Sequence, residues 1–243
     1  MCSFQRFLGC CVAFISCILL VPGCGSKDDS LRTASISPAD NAMPGDTSLG
    51  GLADPDAILA NPQLLAVPSM RRNLFPEVIF ETSAGNVRVR LDAQQASETV
   101  DNFLGAYAKR GFYDGTIIHY VESGFIMVGG GYTEDLVPKE TRAPIRNEAQ
   151  DAPLNKRGTI AMSRQAEYVD SATSQFFFNL SDNTALDHDP DGGDSACGYC
   201  VFGEVVDGMD VLDRMAGAEV HDQGDFKNLP VTPIVITKIK IVE

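Results

Sequence analysis

The stretch Ser171-Ala172-Thr173-Ser174-Gln175-Phe176-Phe177-Phe178-Asn179-Leu180 decides how this chain is read. A polar turn leads into three consecutive aromatics, with one amide side chain just before them. In an extended strand, alternate side chains point to opposite faces. Gln175 and Phe177 then share one face, and Phe176 and Phe178 the other. One face can fill a core. The other presents an apolar ring beside an amide that both donates and accepts hydrogen bonds. That surface suits a ligand with an apolar ring and a peptide backbone. The same pattern also fits a strand buried on both faces.

Working outward, Val78-Ile79-Phe80-Glu81-Thr82 and Val87-Arg88-Val89-Arg90-Leu91 flank Ser83-Ala84-Gly85-Asn86, which predicts a hairpin. A helix is predicted over 97–110, because Val100, Phe103, Leu104 and Tyr107 recur on one face and Lys109-Arg110-Gly111 closes it. Short strands are predicted at 116–121, 125–128, 158–162, 175–180 and 199–202, separated by Gly-rich breaks. A second helix is predicted over 208–216 with Asp207 as its cap, and a last strand over 234–242. About eight short strands and two helices in roughly 170 residues give a mainly β fold, a closed antiparallel barrel with helices over its ends.

The formal net charge of the 243 residues is -14, and no basic run is longer than Arg71-Arg72. Nucleic acid is excluded as a partner, since it requires a dense basic footprint. Three scattered histidines, without a Gly-x-Ser-x-Gly elbow, argue against a hydrolase.

The chain divides into three parts. Residues 1–23 read as a signal peptide. Arg6 precedes an apolar run of about 15 residues, too short for a membrane span. The run ends in Val21-Pro22-Gly23-Cys24, which resembles a bacterial lipobox. The resemblance implies lipidation of Cys24 and, with Gly25 next, retention at the outer membrane facing the periplasm. More than one acyl chain anchors a protein stably. Residues 24–75, with Pro38, Pro44, Pro55, Pro62 and Pro68, read as a flexible tether. Asp54-Pro55-Asp56 is a good start for one short helix within it. Residues 76–243 form the globular domain.

Within that domain, seven runs resemble the cyclophilin family of peptidyl-prolyl isomerases, in particular its bacterial periplasmic branch. They are Thr82-Ser83-Ala84-Gly85-Asn86, Asn102-Phe103, Gly111-Phe112-Tyr113, Gly158-Thr159-Ile160-Ala161-Met162, Asp170-Ser171-Ala172-Thr173-Ser174-Gln175-Phe176-Phe177, Leu186-Asp187-His188 and Val201-Phe202-Gly203. The resemblance implies an eight-stranded antiparallel barrel capped by two helices, with a proline-binding groove on its outer face. It implies proline-containing polypeptides as partners, no cofactor, no metal, and a monomeric domain. It places Phe125, Ile126, Phe177 and Leu186 around the proline, Tyr199 at the groove wall and Gln175 on the peptide backbone.

The chain departs from the family at the residue that does the chemistry. The family's Phe-His-Arg reads Ile118-His119-Tyr120, so Tyr120 replaces the catalytic Arg. Ile126 replaces a Met, Val128 a second Gln, and Ala185 an aromatic residue. Twisting the imide bond removes its resonance, so a donor aimed at the proline nitrogen favours the transition state. A charged donor contributes about 1.5–3 kcal/mol and a neutral one about 0.5–1.5. Tyr120 in place of Arg therefore predicts weakened catalysis with recognition retained. The alternative is a non-catalytic proline-binding or chaperone module.

Three smaller features complete the reading. Asp187, Asp189 and Asp191 alternate as at the start of a calcium loop, but the twelfth position is Gly198 and a solvated acidic insertion is favoured. Cys197 and Cys200 admit a disulfide, suited to an exported compartment, or two thiols. His119 is read as structural, hydrogen-bonding near the groove.

Overall fold

In the computed structural model, residues 73–192 and 196–242 are described. The signal region, Cys24, the tether as far as residue 72, and Gly193 and Asp194 of the acidic insertion lie outside the described residues. The first of the described residues already belong to the domain. The carbonyls of Leu74 and Pro76 accept from the amides of Ala93 and Leu91.

Strands β1 (Glu77–Thr82) and β2 (Gly85–Leu91) form the expected hairpin, closed by Ser83-Ala84. Val87, Val89 and Leu91 are buried, while Arg88 and Arg90 between them pair with Glu77 and Glu204. The others are β3 (Thr116–Val121), β4 (Ile126–Thr133), β5 (Thr159–Met162), β6 (Phe176–Asn179), β7 (Val201–Asp207), β8 (Val220–Gln223), β9 (Phe226–Pro230) and β10 (Ile234–Val242). Eight of them close a barrel in the order β1-β10-β3-β4-β6-β5-β7-β2, all pairs antiparallel.

The first helical segment runs over the expected residues but changes pitch. It is α over Ser97–Asp101 (α1), π over Asn102–Tyr107 and 3-10 over Ala108–Arg110, and it ends at Gly111 in the left-handed region. Its first turn is capped from a distance: the Glu148 carboxylate accepts from the amides of Glu98 and Thr99 and from the Thr99 hydroxyl. That satisfies a buried carboxylate and orphan helix donors together. Helix α2 (Met209–Ala216) buries Val211, Leu212 and Met215 against the barrel.

Three local expectations are corrected. Asp207 is not the cap of α2; Gly208 is, at φ 88°, because its backbone touches β2. A Cβ there would lie 2.5 Å from the Asn86 carbonyl. Strand β4 runs through Gly129-Gly130-Gly131 instead of breaking at them. Ile118, Phe176 and Gln175 occupy the space their Cβ atoms would take. The hairpin β8–β9 was not foreseen. Val220–Gln223 is exposed throughout, so its sequence carries no hydrophobic alternation; only Gly224-Asp225 marks the turn.

The barrel interior is aromatic. Phe80, Phe103, Tyr113, Phe176, Phe178 and Phe202 pack edge-to-face or tilted, with centroids from 5.2 Å (Phe103–Phe202) to 6.2 Å (Phe103–Phe176). The buried Tyr113 hydroxyl donates to the Ser174 carbonyl at 2.8 Å, and burial raises its pKa. This ties the strand-leading turn 171–175 to the core.

Candidate active site

The period-two reading of the Phe176-Phe177-Phe178 run holds. Phe176 and Phe178 belong to the interior cluster, and Phe177 belongs to a second, separate apolar cluster on the outer face. Both faces are covered, but by different sets of residues. Sheet register explains the second set. Tyr120 on β3 pairs with Val128 on β4, Val128 with Phe177 on β6, Phe177 with Ala161 on β5, and Ala161 with Val201 on β7. The groove floor is thus one cross-strand row over five neighbouring strands. Ile126, Leu186, Phe125 and Tyr199 complete the cluster around it.

Tyr120 reaches this row through an irregularity in β3. Ile118 and Val121, three apart, both face the interior, and the β3–β4 register shifts between Ile118 and Tyr120. A bulge leaves two consecutive side chains on the outside. They are His119 and Tyr120. His119 hydrogen-bonds with the Ile117 backbone, but its ring faces Tyr132 and Phe226 and it is not among the residues of the outer cluster. It is 5% exposed, its Nδ1 has no partner, and its ring meets Tyr132 edge-to-face with centroids 4.8 Å apart, beside Phe226 of the unforeseen hairpin. Burial lowers its pKa to about 4, against a small opposing effect of the Ile117 backbone.

The Tyr120 hydroxyl donates to Glu122 Oε2 at 2.5 Å. Glu122 starts the turn that carries Phe125. Its amide donates to the Ile126 carbonyl, and its carbonyl accepts from the Phe125 amide. Phe125 is fixed from below as well, its carbonyl accepting from the Leu180 amide and from Asn183 Nδ2. Asn183 bonds Asn179, and Asn179 bonds Asn155 and Thr159. Asn155 Nδ2 then donates to the carbonyls of Leu186 and Tyr199. One chain of amides therefore holds Phe125, Leu186 and Tyr199 in place, and a network whose members are all satisfied rigidifies what it joins.

Gln175 sits just before β6. Its Oε1 is buried without a partner. Its side chain lies over Gly131, where a Cβ would come within 2.7 Å of Cγ and Cδ. An unmade bond on a buried acceptor costs about 1–3 kcal/mol, which the packing of Gln175 over Gly131 offsets.

Tyr199 packs edge-on against Phe177, centroids 5.6 Å apart. Behind it stands Arg164, 9% exposed, with its guanidinium 4.7 Å from the Tyr199 ring centre. Arg164 Nε donates to the Gly198 carbonyl, and Nη1 to those of Gln165 and Ala166. Burial raises the Tyr199 pKa, and the Arg164 charge opposes that.

The sequence missed Ala161, Val201, Arg164 and Glu122. The first two follow only from register, which periodicity does not supply. Glu122 lies two residues from Tyr120, and that same-face spacing is the signal in the sequence. Nothing local marks Arg164. Of the residues expected, Tyr120, Phe125, Ile126, Phe177, Leu186 and Tyr199 converge on the groove. Ala185 is exposed.

Cys197 and Cys200 do not form the disulfide considered above. Cys200 turns inward, its Sγ 3.4 Å from Thr99 Oγ1, and burial pushes its pKa up to about 12. In the acidic insertion, Asp187 Oδ1 accepts from the Asn155 amide and Nδ2, and Asp189 Oδ1 from the Asp191 amide. These bonds tie Asp187 into the amide chain.

The site is thus an apolar cluster on the outer face of a closed antiparallel barrel, edged by the phenols of Tyr120 and Tyr199. The family model for cyclophilin-type peptidyl-prolyl cis-trans isomerases matches residues 77–241. Peptidyl-prolyl cis-trans isomerase A of Dickeya dadantii is 44% identical over 176 residues, 72% of this chain and 90% of that protein. Peptidyl-prolyl cis-trans isomerase B of Escherichia coli is 42% identical over 169 residues, 68% of this chain and 99% of that protein. A crystal structure of a cyclophilin-type isomerase from Cryptosporidium parvum shares the fold at 23% identity. Its TM-score is 0.57, over 70% of this chain and 98% of that one. The chain belongs to the cyclophilin-type peptidyl-prolyl cis-trans isomerases.

Proposed function

We propose that this chain is a peptidyl-prolyl isomerase whose groove recognises proline-containing segments better than it turns them over. The observation that carries this reading is the Tyr120 hydroxyl, committed to Glu122 at 2.5 Å above a groove floor closed around Phe177, which is 2% exposed. Phe125, Ile126, Phe177, Leu186 and Tyr199 take the proline ring, and Gln175 takes the backbone beside it. Rotation about the imide needs no nucleophile, metal or proton transfer, only a donor that meets the pyramidal nitrogen. Tyr120 is a neutral donor where the family has a charged one, and its hydrogen is already shared. Loss of about 1–2 kcal/mol of transition-state stabilisation corresponds to about a tenfold slower turnover.

The same bond favours a second reading, a proline-binding or chaperone module without turnover. Exchange NMR on a proline tetrapeptide tests both. Shifts at the neighbours of Phe177 and Leu186, with slow but measurable cis–trans exchange that Phe177→Ala abolishes, support the isomerase. Shifts without exchange support the binding module. A peptide that perturbs neither residue defeats both.

The N-terminal run ending at Cys24 supports an exported, lipid-anchored protein at the outer membrane facing the periplasm, where its clients are exported polypeptides and its domain works as a monomer. Mass spectrometry of the cell-envelope fraction tests this. An acylated Cys24 is expected, lost with membrane retention in Cys24→Ser; an unmodified, intact N-terminus overturns it.

A further inference from the structure

Beyond Tyr199, on the side away from Phe177, lies a cleft of about 340 Å³. Its walls are Ala152, Pro153 and Leu154 on one strap and His188, Pro190 and Tyr199 on the other. The volume is at the low end for ligand sites and suits one bulky side chain with its backbone. Most polar groups at its base are already engaged. Asn155 Nδ2 donates to Leu186, Asp187 and Tyr199, and Asp187 Oδ1 accepts from Asn155. His188 Nδ1 is the exception, buried and without a hydrogen-bond partner. A buried ring nitrogen in that state gains from any ligand that supplies a peptide N–H or, in the other tautomer, a peptide C=O. Leu154, 53% exposed, offers an apolar edge at the mouth.

Continuity decides what the cleft holds. Tyr199 is a wall of both the groove and the cleft. Leu186 lines the groove, and the next two residues, Asp187 and His188, line the cleft. An extended chain advances about 3.3 Å per residue, so a polypeptide seated over Phe177 reaches past the Tyr199 ring within about two residues. On the isomerase reading above, that polypeptide is the client.

We propose that this cleft is a second client subsite, which takes an aromatic or branched apolar side chain one or two residues from the proline and pairs His188 Nδ1 with that residue's backbone. The cleft then sets sequence preference beyond proline itself, while the groove alone suffices for a short peptide. The chain's net charge of -14 disfavours acidic side chains at the same position.

The test is a panel of hexapeptides with a fixed Ala-Pro core. Phe, Ala or Asp is placed at the first or second position on either side, and Kd and kcat/KM are measured on the full-length protein. At one position Phe is expected to tighten binding about tenfold over Ala, and Asp to weaken it. Leu154→Asp is expected to erase the Phe preference while leaving binding and turnover of the all-Ala peptide unchanged, whereas His188→Ala, which removes a bond to peptide backbone, is expected to weaken the Phe and all-Ala peptides alike. A panel flat within twofold, with the all-Ala peptide still bound, overturns the subsite and leaves the groove reading standing. That outcome covers a cleft that is closed or fits another ligand. A Phe preference that survives Leu154→Asp overturns it too, because the side chain is then lodged elsewhere. Failure of every peptide to bind overturns the subsite and the isomerase reading together.

Discussion

Tyr120→Arg and Glu122→Ala probe the same bond from its two ends. A hydrogen bond to a carboxylate contributes about 1.5–3 kcal/mol, and one to a neutral acceptor such as a twisted imide nitrogen about 0.5–1.5. With the Tyr120 hydroxyl 2.5 Å from Glu122, the carboxylate outcompetes the nitrogen by about 1–2 kcal/mol. Removing the carboxylate releases one neutral donor, a gain of about 1 kcal/mol in the transition state, or roughly fivefold in kcat. The turn survives, because Glu122 holds Phe125 and Ile126 through its backbone. Arginine has five N–H donors and serves Glu122 and the nitrogen together. Its charged bond is worth about 1.5–3 kcal/mol, so kcat rises about ten- to hundredfold. Exchange NMR at saturating peptide reads kcat directly, and titration reads affinity. The expected order is wild type, then Glu122→Ala, then Tyr120→Arg, with affinity constant within about twofold because the floor is untouched. A kcat unmoved by Tyr120→Arg, or lowered by Glu122→Ala, refutes the reasoning; the carboxylate would then be assisting the phenol.

Gly131→Ala displaces Gln175, since the new Cβ falls 2.7 Å from its Cγ and Cδ; kcat/KM should drop as far as in Gln175→Ala, and a wild-type value would sink that placement. His119 stays neutral in the fold with its pKa near 4, below its ordinary 6.5. Its contribution is therefore present above pH 6.5 and lost as pH falls through 4, on the order of 3 kcal/mol in total. Urea melts across that range should show a steeper loss in wild type than in His119→Asn, and equal slopes would count against it. Cys200, with its thiol near pKa 12 and buried, should resist alkylation at pH 8 until the protein unfolds; rapid native labelling at that site would show the strand end to be open. Phe178→Ala, in the interior, should cost about 3–5 kcal/mol, while the outward, volume-conserving Ile126→Met should cost under about 1.5. Comparable denaturant midpoints for the two would contradict the separation of the two clusters.

Alternation was the legible part of this chain. Val87-Arg88-Val89-Arg90-Leu91 and Gln175-Phe176-Phe177-Phe178 each carry their inward and outward faces in plain order, and the strands they predict are there. Register was not legible. That Ala161 and Val201 stand beside Phe177 depends on how β5 and β7 slide past β6, and a side-chain period of two says nothing about that offset. Glycine was misread at 129–131 because close approach from a neighbouring strand looks the same in sequence as a turn. The polar hairpin β8–β9 escaped because its stabilisation comes from contacts such as Phe226 with Tyr132 and His119, which no local pattern encodes. Tyr120, Phe125, Ile126, Phe177, Leu186 and Tyr199 meet in one cluster, and Glu122 follows from its spacing to Tyr120, whereas no local pattern marks Arg164.

The barrel lets recognition and chemistry change independently. The outer row Tyr120–Val128–Phe177–Ala161–Val201 has an inner counterpart, Val121–Met127–Phe178–Ile160–Gly203, one residue along each of β3 through β5. The inner row is fully packed, so substitution there is felt as lost stability. The outer row meets the groove, and its two ends do different work. On the far side of Phe177, Tyr199 is held by Arg164 and by the amide chain through Asn155. The Tyr120 end follows from the bulge at Ile118–Tyr120 and includes the bond to Glu122. A substitution at Tyr120 therefore changes that side chain without disturbing the apolar cluster around Phe177, and nothing in the core registers the change. That asymmetry is why a chain can keep Phe177 and its Gln175 neighbour while the residue at position 120 is exchanged.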